Sequence, residues 1–287
     1  MPQRMHRREF FKQTGAGAAA LSAASVGGSS LPLAAAAPAM PYELGMASYT
    51  FREFPLEKTL EMTARLGLKR IAFKDFHLKL DSTDEIIAST LEKVKQAGLD
   101  LYGGGVIYMR SEADVNNAFA YARKAGMRII IGVPNHDLLN LVNRKVQEYD
   151  IRVAIHNHGP GDKVYPTPQS AFEKIASLDR RIGLCIDVGH TMRSGIDPSE
   201  PALKYANRLI DVHIKDASAA TAKGSTVEIG RGVIDIPRFL RTLQKINYSG
   251  TVSLEYEKDA KDPLPGAAES IGYLRGVLAG MKDLPRS

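Results

Sequence analysis

The 287-residue chain has one cysteine, Cys185, and no tryptophan. A single cysteine excludes an internal disulfide, and nothing beside it has the spacing of a cysteine metal site. It lies within the apolar run "IGLCID", so it reads as a packed core thiol rather than a nucleophile. No stretch is long and apolar enough to span a bilayer. Strong charge of one sign is also missing. The formal net charge is +6, and Arg4, Arg7, Arg8 and Lys12 against Glu9 account for three of those charges within the first 38 residues. The remaining +3 is too weak and scattered to argue for a nucleic-acid partner. No glycine-rich dinucleotide fingerprint follows the first strand candidate, which disfavours an open doubly wound sheet. What remains, 44% hydrophobic and 24% charged residues, is the composition of an ordinary globular protein.

The amino terminus reads as an address. "HRREFFKQTGAGAAALSAASVGG" pairs Arg7 with Arg8, follows them with Phe10, Phe11 and Lys12, and runs into a weakly apolar Ala/Gly stretch. "APA" at Ala37 to Ala39 supplies a small-residue cleavage site. The segment resembles a twin-arginine (Tat) export signal. Residues 1–39 are therefore expected to be a signal peptide and 40–287 the mature, soluble, exported (periplasmic) domain.

Beyond residue 40 short apolar runs recur: "LGMASYTF", "KRIAFKD", "LDLYGGGVIY", "MRIIIGVP", "IRVAIHNH", "IGLCIDVGH", "LIDVHIKD" and "GTVSLEYE". Most lack a clean polar alternation, as expected of strands buried on both faces. Helix-period segments lie between them. Ser82 ahead of "TDE" places Glu85 at a capping-box position, Asp197 precedes Pro198, and Asp235 caps "IPRFLRTLQKI". "RLG", "QAG" and "KAG" end helices at glycine. Eight strands alternating with helices over about 245 residues predict a single-domain α/β fold, a (β/α)8 TIM barrel.

In that fold chemistry sits at the carboxyl ends of the strands. The fifth strand candidate ends in His156 and His158, which share a face by the strand period of two. The sixth ends in Asp187, with His190 in "DVGH"; the seventh presents His213 and, two residues on, Lys215 as a candidate substrate contact; the eighth presents Glu255. A lone histidine or aspartate at such a place is usually structural. Four strands in register are another matter, because clustered carboxylates repel unless a cation lies between them. One donor from each of the four strands, with strand five offering His156 or His158 beside Asp187, His213 and Glu255, therefore reads as a ligand to one divalent ion. Mixed imidazole and carboxylate donors suit Mn²⁺, Zn²⁺, Fe²⁺ or Co²⁺ better than Ca²⁺. A second cluster, "FKDFH", holds Lys74, Asp75 and His77 at the end of the second strand. Lys74 there could steady developing negative charge beside a substrate oxygen, and His77 is a candidate substrate contact. "YGGGV" leaves room for a ligand or for close packing. Tyr49 and Tyr108 are further candidates for the same mouth.

"CIDVGH", "DVHIKD", "EIGRGVID" and "SLEYE" resemble the xylose-isomerase-like TIM barrels, which include sugar isomerases and epimerases, inosose dehydratases and endonuclease IV. The resemblance covers about residues 42 to 280. It implies that Asp187, His213 and Glu255 are metal ligands, that His190 reaches a substrate hydroxyl, and that Arg231 sits in a loop contacting the sugar. The departure is at strand five, where ketose epimerases usually have a glutamate and this chain has His156. A histidine keeps the ligand role but not the carboxylate's work as acid and base. His158, with an unperturbed pKa near neutrality, is the candidate base, with Glu255 as the other candidate.

The expected activity is that of a metal-dependent sugar isomerase or epimerase, abstracting a proton next to a sugar carbonyl through a metal-stabilised enediolate. The alternative is a lyase that cleaves 3-keto-glycosides by elimination. A noncatalytic sugar-binding protein and an endonuclease-IV-like nuclease are disfavoured, the latter because further ligands and a basic face are missing. The expected partner is a small carbohydrate, with neither nucleic acid nor membrane. The residues leave the oligomeric state open, a homodimer being one option.

Overall fold

A computed structural model describes residues 42–282. The export signal expected at residues 1–39 lies outside them. Eight strands, β1 (Glu43–Ala47), β2 (Arg70–Phe73), β3 (Asp100–Met109), β4 (Ile129–Pro134), β5 (Arg152–His156), β6 (Ile182–Asp187), β7 (Leu209–Ile214) and β8 (Thr251–Leu254), form one closed barrel. Each strand pairs in parallel with its chain neighbours, and β8 closes on β1. The (β/α)8 expectation holds. β4, β6 and β7 are buried along their whole lengths, as the lack of polar alternation requires. Among the described residues no helix is long and apolar enough to cross a membrane.

The α-helices between and after the strands are α1 (Leu56–Arg65), α2 (Asp84–Gln96), α3 (Glu112–Lys124), α4 (Leu139–Tyr149), α5 (Pro168–Ile175), α6 (Val188–Arg193), α7 (Ser199–Lys204), α8 (Ile236–Lys245) and α9 (Leu264–Lys282). Gly67, Gly98 and Gly126, all at positive φ, turn the chain out of α1, α2 and α3. Asp235 caps α8 by accepting from the Arg238 N–H. Asp197 accepts from the Ser199 N–H at the start of α7. One boundary moves: Thr83, not Ser82, caps α2, with its side chain accepting from the Ile86 N–H. Ser82 is committed to a preceding turn, its N–H donating to the Lys79 carbonyl.

The glycine run in β3 serves packing. A Cβ on Gly103 would stand 2.9 Å from the Ile129 carbonyl oxygen, and one on Gly105 would stand 2.2 Å from that of Ile131, so the missing side chains admit β4 rather than a ligand. The lower barrel interior is partly polar: the Tyr102 hydroxyl lies 2.7 Å from Ser253 Oγ and 3.3 Å from Asp211 Oδ1. Cys185 is buried there, as expected of a core thiol, and burial raises its pKa well above the ordinary value. A short ribbon, Asp216–Ala217 with Thr226–Val227, projects after β7.

Candidate active site

Parallel register assembles the site. β5 and β6 align His156 with Cys185, β6 and β7 align Asp187 with His213, and Glu255 follows β8 with its N–H donating to the Ile214 carbonyl. One potential ligand atom from each of His156, Asp187, His213 and Glu255 lies within 4.8 Å of all the others. All four residues are buried. His156 Nε2 stands 3.3 Å from Asp187 Oδ2, and His213 Nδ1 stands 3.3 Å from Glu255 Oε2. Asp187 has two tasks: Oδ1 caps α6 by accepting from the His190 N–H at 2.7 Å, and Oδ2 turns into the cluster.

The polar accounting fails to close at this point. Both ring nitrogens of His156, both of His213 and Asp187 Oδ2 are buried without a hydrogen bond of acceptable geometry. Such orphans each cost free energy comparable to a lost hydrogen bond, and native proteins rarely keep several together. A divalent cation accepts lone pairs from imidazole and carboxylate alike, so the donor set fits one. Burial drives the His156 pKa down to about 3, which leaves the neutral ring a ligand needs. His213 is pulled upward instead, Glu255 prevailing over burial.

Lys215 departs from expectation. Rather than facing a substrate it is buried beneath the mouth, with Nζ 2.9 Å from Asp187 Oδ2, 2.7 Å from Glu255 Oε2 and in contact with Glu257. Burial opposes its charge, but the three carboxylates hold its pKa well above the usual lysine value. Burial would likewise raise Asp187 and Glu255; the surrounding cations keep both well below the carboxylate range. The ammonium balances one negative charge and offers nothing to the imidazole lone pairs, so it does not replace a metal.

Above the cluster opens a cavity of about 310 Å³, lined by Tyr49, Lys74, Tyr108, His158, His190 and Glu257 among others. The His158 ring centroid is 4.5 Å from that of His156, so the two stay on one side although β5 ends at His156. His158 Nε2 is 3.0 Å from the Tyr108 hydroxyl, and its Nδ1 is 3.7 Å from Asp162 Oδ2. Burial, then the neighbouring His190, lowers its pKa. Lys74 Nζ donates to the Val106 carbonyl at 2.6 Å. His190 Nδ1 is 3.2 Å from an Arg193 guanidinium nitrogen.

Two expected substrate contacts are placed elsewhere. His77 is buried, with Nδ1 2.9 Å from Ser48 Oγ and Nε2 3.0 Å from both Thr59 Oγ1 and the Phe54 carbonyl. Every polar atom of its ring is spoken for. Arg231 is exposed and paired with Glu269 of α9 at 2.7 Å. The cause is Asp216, whose carboxylate accepts from the N–H groups of Gly230, Gly232 and Ile234 and clamps "GRGVI" as a structural loop. Glu257 and Asp162 were not anticipated. Glu257 lies two residues beyond Glu255, so the strand period applied once more would have found it. Asp162 is returned to His158 by a loop with Gly159 and Gly161 at positive φ, which no spacing rule announces.

A family model described as xylose isomerase-like TIM barrel matches residues 55–277. An inosose dehydratase of Clostridium beijerinckii is 29% identical over 158 residues, covering 48% of this chain and 52% of its own. The rhizopine catabolism protein MocC of Rhizobium meliloti is 26% identical over 144 residues, covering 45% and 44%. The chain thus spans about half the length of the curated relatives it matches. Among solved structures, an L-ribulose 3-epimerase superposes with a TM-score of 0.67 at 16% identity, over 86% of this chain and 99% of that one; this likeness speaks to fold.

Proposed function

The chain belongs to the xylose isomerase-like TIM barrel family, and from that premise we propose that it is a divalent-metal-dependent enzyme of the sugar isomerase or epimerase type. The observation that carries this reading is the set of orphaned imidazole nitrogens in the His156, Asp187, His213 and Glu255 cluster, directly below an open cavity. A bound divalent cation supplies Lewis acidity to a carbonyl and its neighbouring hydroxyl, making the adjacent C–H acidic. The residues around it do the rest. His158, kept neutral by burial and aligned by Tyr108 and Asp162, accepts the carbon-bound proton. Lys74, fixed by the Val106 carbonyl, steadies the negative charge that develops on a substrate oxygen. His190 donates to a hydroxyl from the β6 side. Lys215 holds Glu255 and Glu257 in place through its ammonium. Glu257 lines the β8 side of the cavity, and the proton taken by His158 is returned from that imidazolium to the neighbouring carbon.

A second reading, elimination, is favoured by a separate observation. Strand five carries His156 where a symmetric two-glutamate epimerisation would need a carboxylate, and His158 with the Tyr108 hydroxyl forms a base and acid pair on one wall. Removing a proton beside the carbonyl and expelling a substituent from the next carbon needs only that pair, and the C. beijerinckii relative is named a dehydratase. A screen of free ketoses and aldoses, inososes and 3-keto-glycosides against metal-loaded protein separates the two. Reversible interconversion of free sugars supports the first reading, and an unsaturated or cleaved product supports the second. Turnover of none of these compounds by protein carrying its full metal complement sinks both.

Export is proposed on the twin arginines. Exchanging Arg7 and Arg8 together for lysine is expected to strand the precursor in the cytoplasm; unchanged export overturns this.

A further inference from the structure

The cavity above the metal cluster shares a wall with a larger one. Tyr108 lines both the 310 Å³ cavity and a groove of about 830 Å³ bounded by residues 75–87 and by α3. Two more contacts join them. Lys74 of the cavity is 3.4 Å from Asp75 of the groove, and the Tyr49 ring of the cavity is 6.2 Å from the Phe76 ring of the groove. The groove therefore borders the mouth, with Tyr108 as the wall the two share.

Its chemistry is specific. Phe76 and Tyr108 are 44% and 43% exposed, two of the few large apolar side chains left in water among the described residues, and both flank the groove. Apolar surface left contiguous beside a cavity marks ligand-binding grooves. The π face of Phe76 suits the C–H face of a pyranose or another ring, while Tyr108, whose ring stacks on His158 and lies under the Arg110 guanidinium, bounds the groove. The ionisable lining residues are of mixed sign and mostly committed. Asp75 pairs with Lys74, Lys124 with Asp84, and Asp114 accepts from the N–H groups of Arg110 and Ser111. No field of one sign is left for a phosphate or carboxylate, whereas Asn117 and Ser82 offer neutral donors and acceptors. The inner cavity is at the small end of ligand sites, enough for one ring.

We propose that the groove is a second subsite, holding a neutral ring, sugar or aryl, joined through a glycosidic oxygen to the sugar in the inner cavity, so that the substrate class is glycosides rather than free monosaccharides. The proposal rests on the carbohydrate reading above. Calorimetric titration of the metal-loaded protein with glucose, methyl β-glucoside, cellobiose and phenyl β-glucoside tests it. The two-ring ligands should bind at least about tenfold more tightly than the one-ring pair, a difference of roughly 1.4 kcal/mol. Phe76→Ala, which removes the platform, and Asn117→Trp, which fills the groove from α3, should each erase that advantage while leaving glucose affinity and metal content unchanged. If glucose binds and the two-ring ligands bind no better, or if their advantage survives both variants, the subsite is refuted and the carbohydrate reading stands. If none of the four binds to protein carrying its full metal complement, the carbohydrate reading fails and the subsite with it.

Discussion

His77 and His156 look alike in composition terms, each a buried histidine at the carboxyl end of a barrel strand. Their surroundings are opposite. Ser48, Thr59 and the Phe54 carbonyl meet both nitrogens of His77, whereas neither nitrogen of His156 has a hydrogen-bond partner. Burial lowers the pKa of both, so burial does not tell them apart. The balance of donors and acceptors does: a histidine whose bonds are complete within the protein holds the fold, and one whose nitrogens lack partners beside carboxylates could hold a cation. Asp187 spans both roles in a single side chain, with one oxygen capping α6 and the other turned into the cluster, where the Lys215 ammonium lies 2.9 Å away.

The comparison can be broken most severely at Asp187. Asp187→Asn keeps the acceptor that caps α6 but removes the charge, and metal binding measured by elemental analysis should be lost together with all activity. Retention of stoichiometric metal would show that the cluster is not the site. His158→Gln should keep near-native metal content while lowering turnover by roughly 10²–10⁴, the usual worth of a positioned base. Substrate C–H exchange with deuterated water should fall in parallel; loss of the metal instead would make His158 the ligand. The contrast between the two buried histidines is sharpened by a matched pair. His77→Leu strands Ser48 and Thr59 and should destabilise by about 1–3 kcal/mol, read as a fall in Tm of roughly 2–4 °C for each kcal/mol. His156→Leu in metal-free protein should leave Tm unchanged or raise it, because an unpartnered polar ring gives way to an apolar one of similar size, and it should abolish the rise in Tm that metal produces. Equal losses from both substitutions would erase the distinction. At the small end, Arg231→Ala should change neither Tm nor KM, since the exposed pair with Glu269 is screened by water; a raised KM would return Arg231 to the substrate.

Much of this was legible in the chain. The apolar runs announce the barrel because strands buried on both faces cannot alternate, and strand period with barrel register is enough to place His156, Asp187, His213 and Glu255 at one end. The same period places Lys215 on the face of His213 but carries no depth. A flexible four-carbon stem allowed its ammonium to sink among Asp187, Glu255 and Glu257 rather than rise to a ligand. Arg231 was misjudged because its loop is shaped by Asp216, a residue whose three backbone partners lie 14 to 18 positions away.

Sequence alone thus determined the class of fold and the end of the barrel where His156, Asp187, His213 and Glu255 come together, because these follow from periodicities of two and 3.6 that are local properties of the chain. Tertiary structure alone decided which polar atoms are satisfied. That is a sum over neighbours distant in sequence: Thr59 for His77, Glu269 for Arg231, Tyr108 for His158, and no hydrogen-bond partner for the nitrogens of His156 and His213. It also decided that Tyr108 divides a small cavity from a larger groove, since a cavity is enclosed only where separate segments meet.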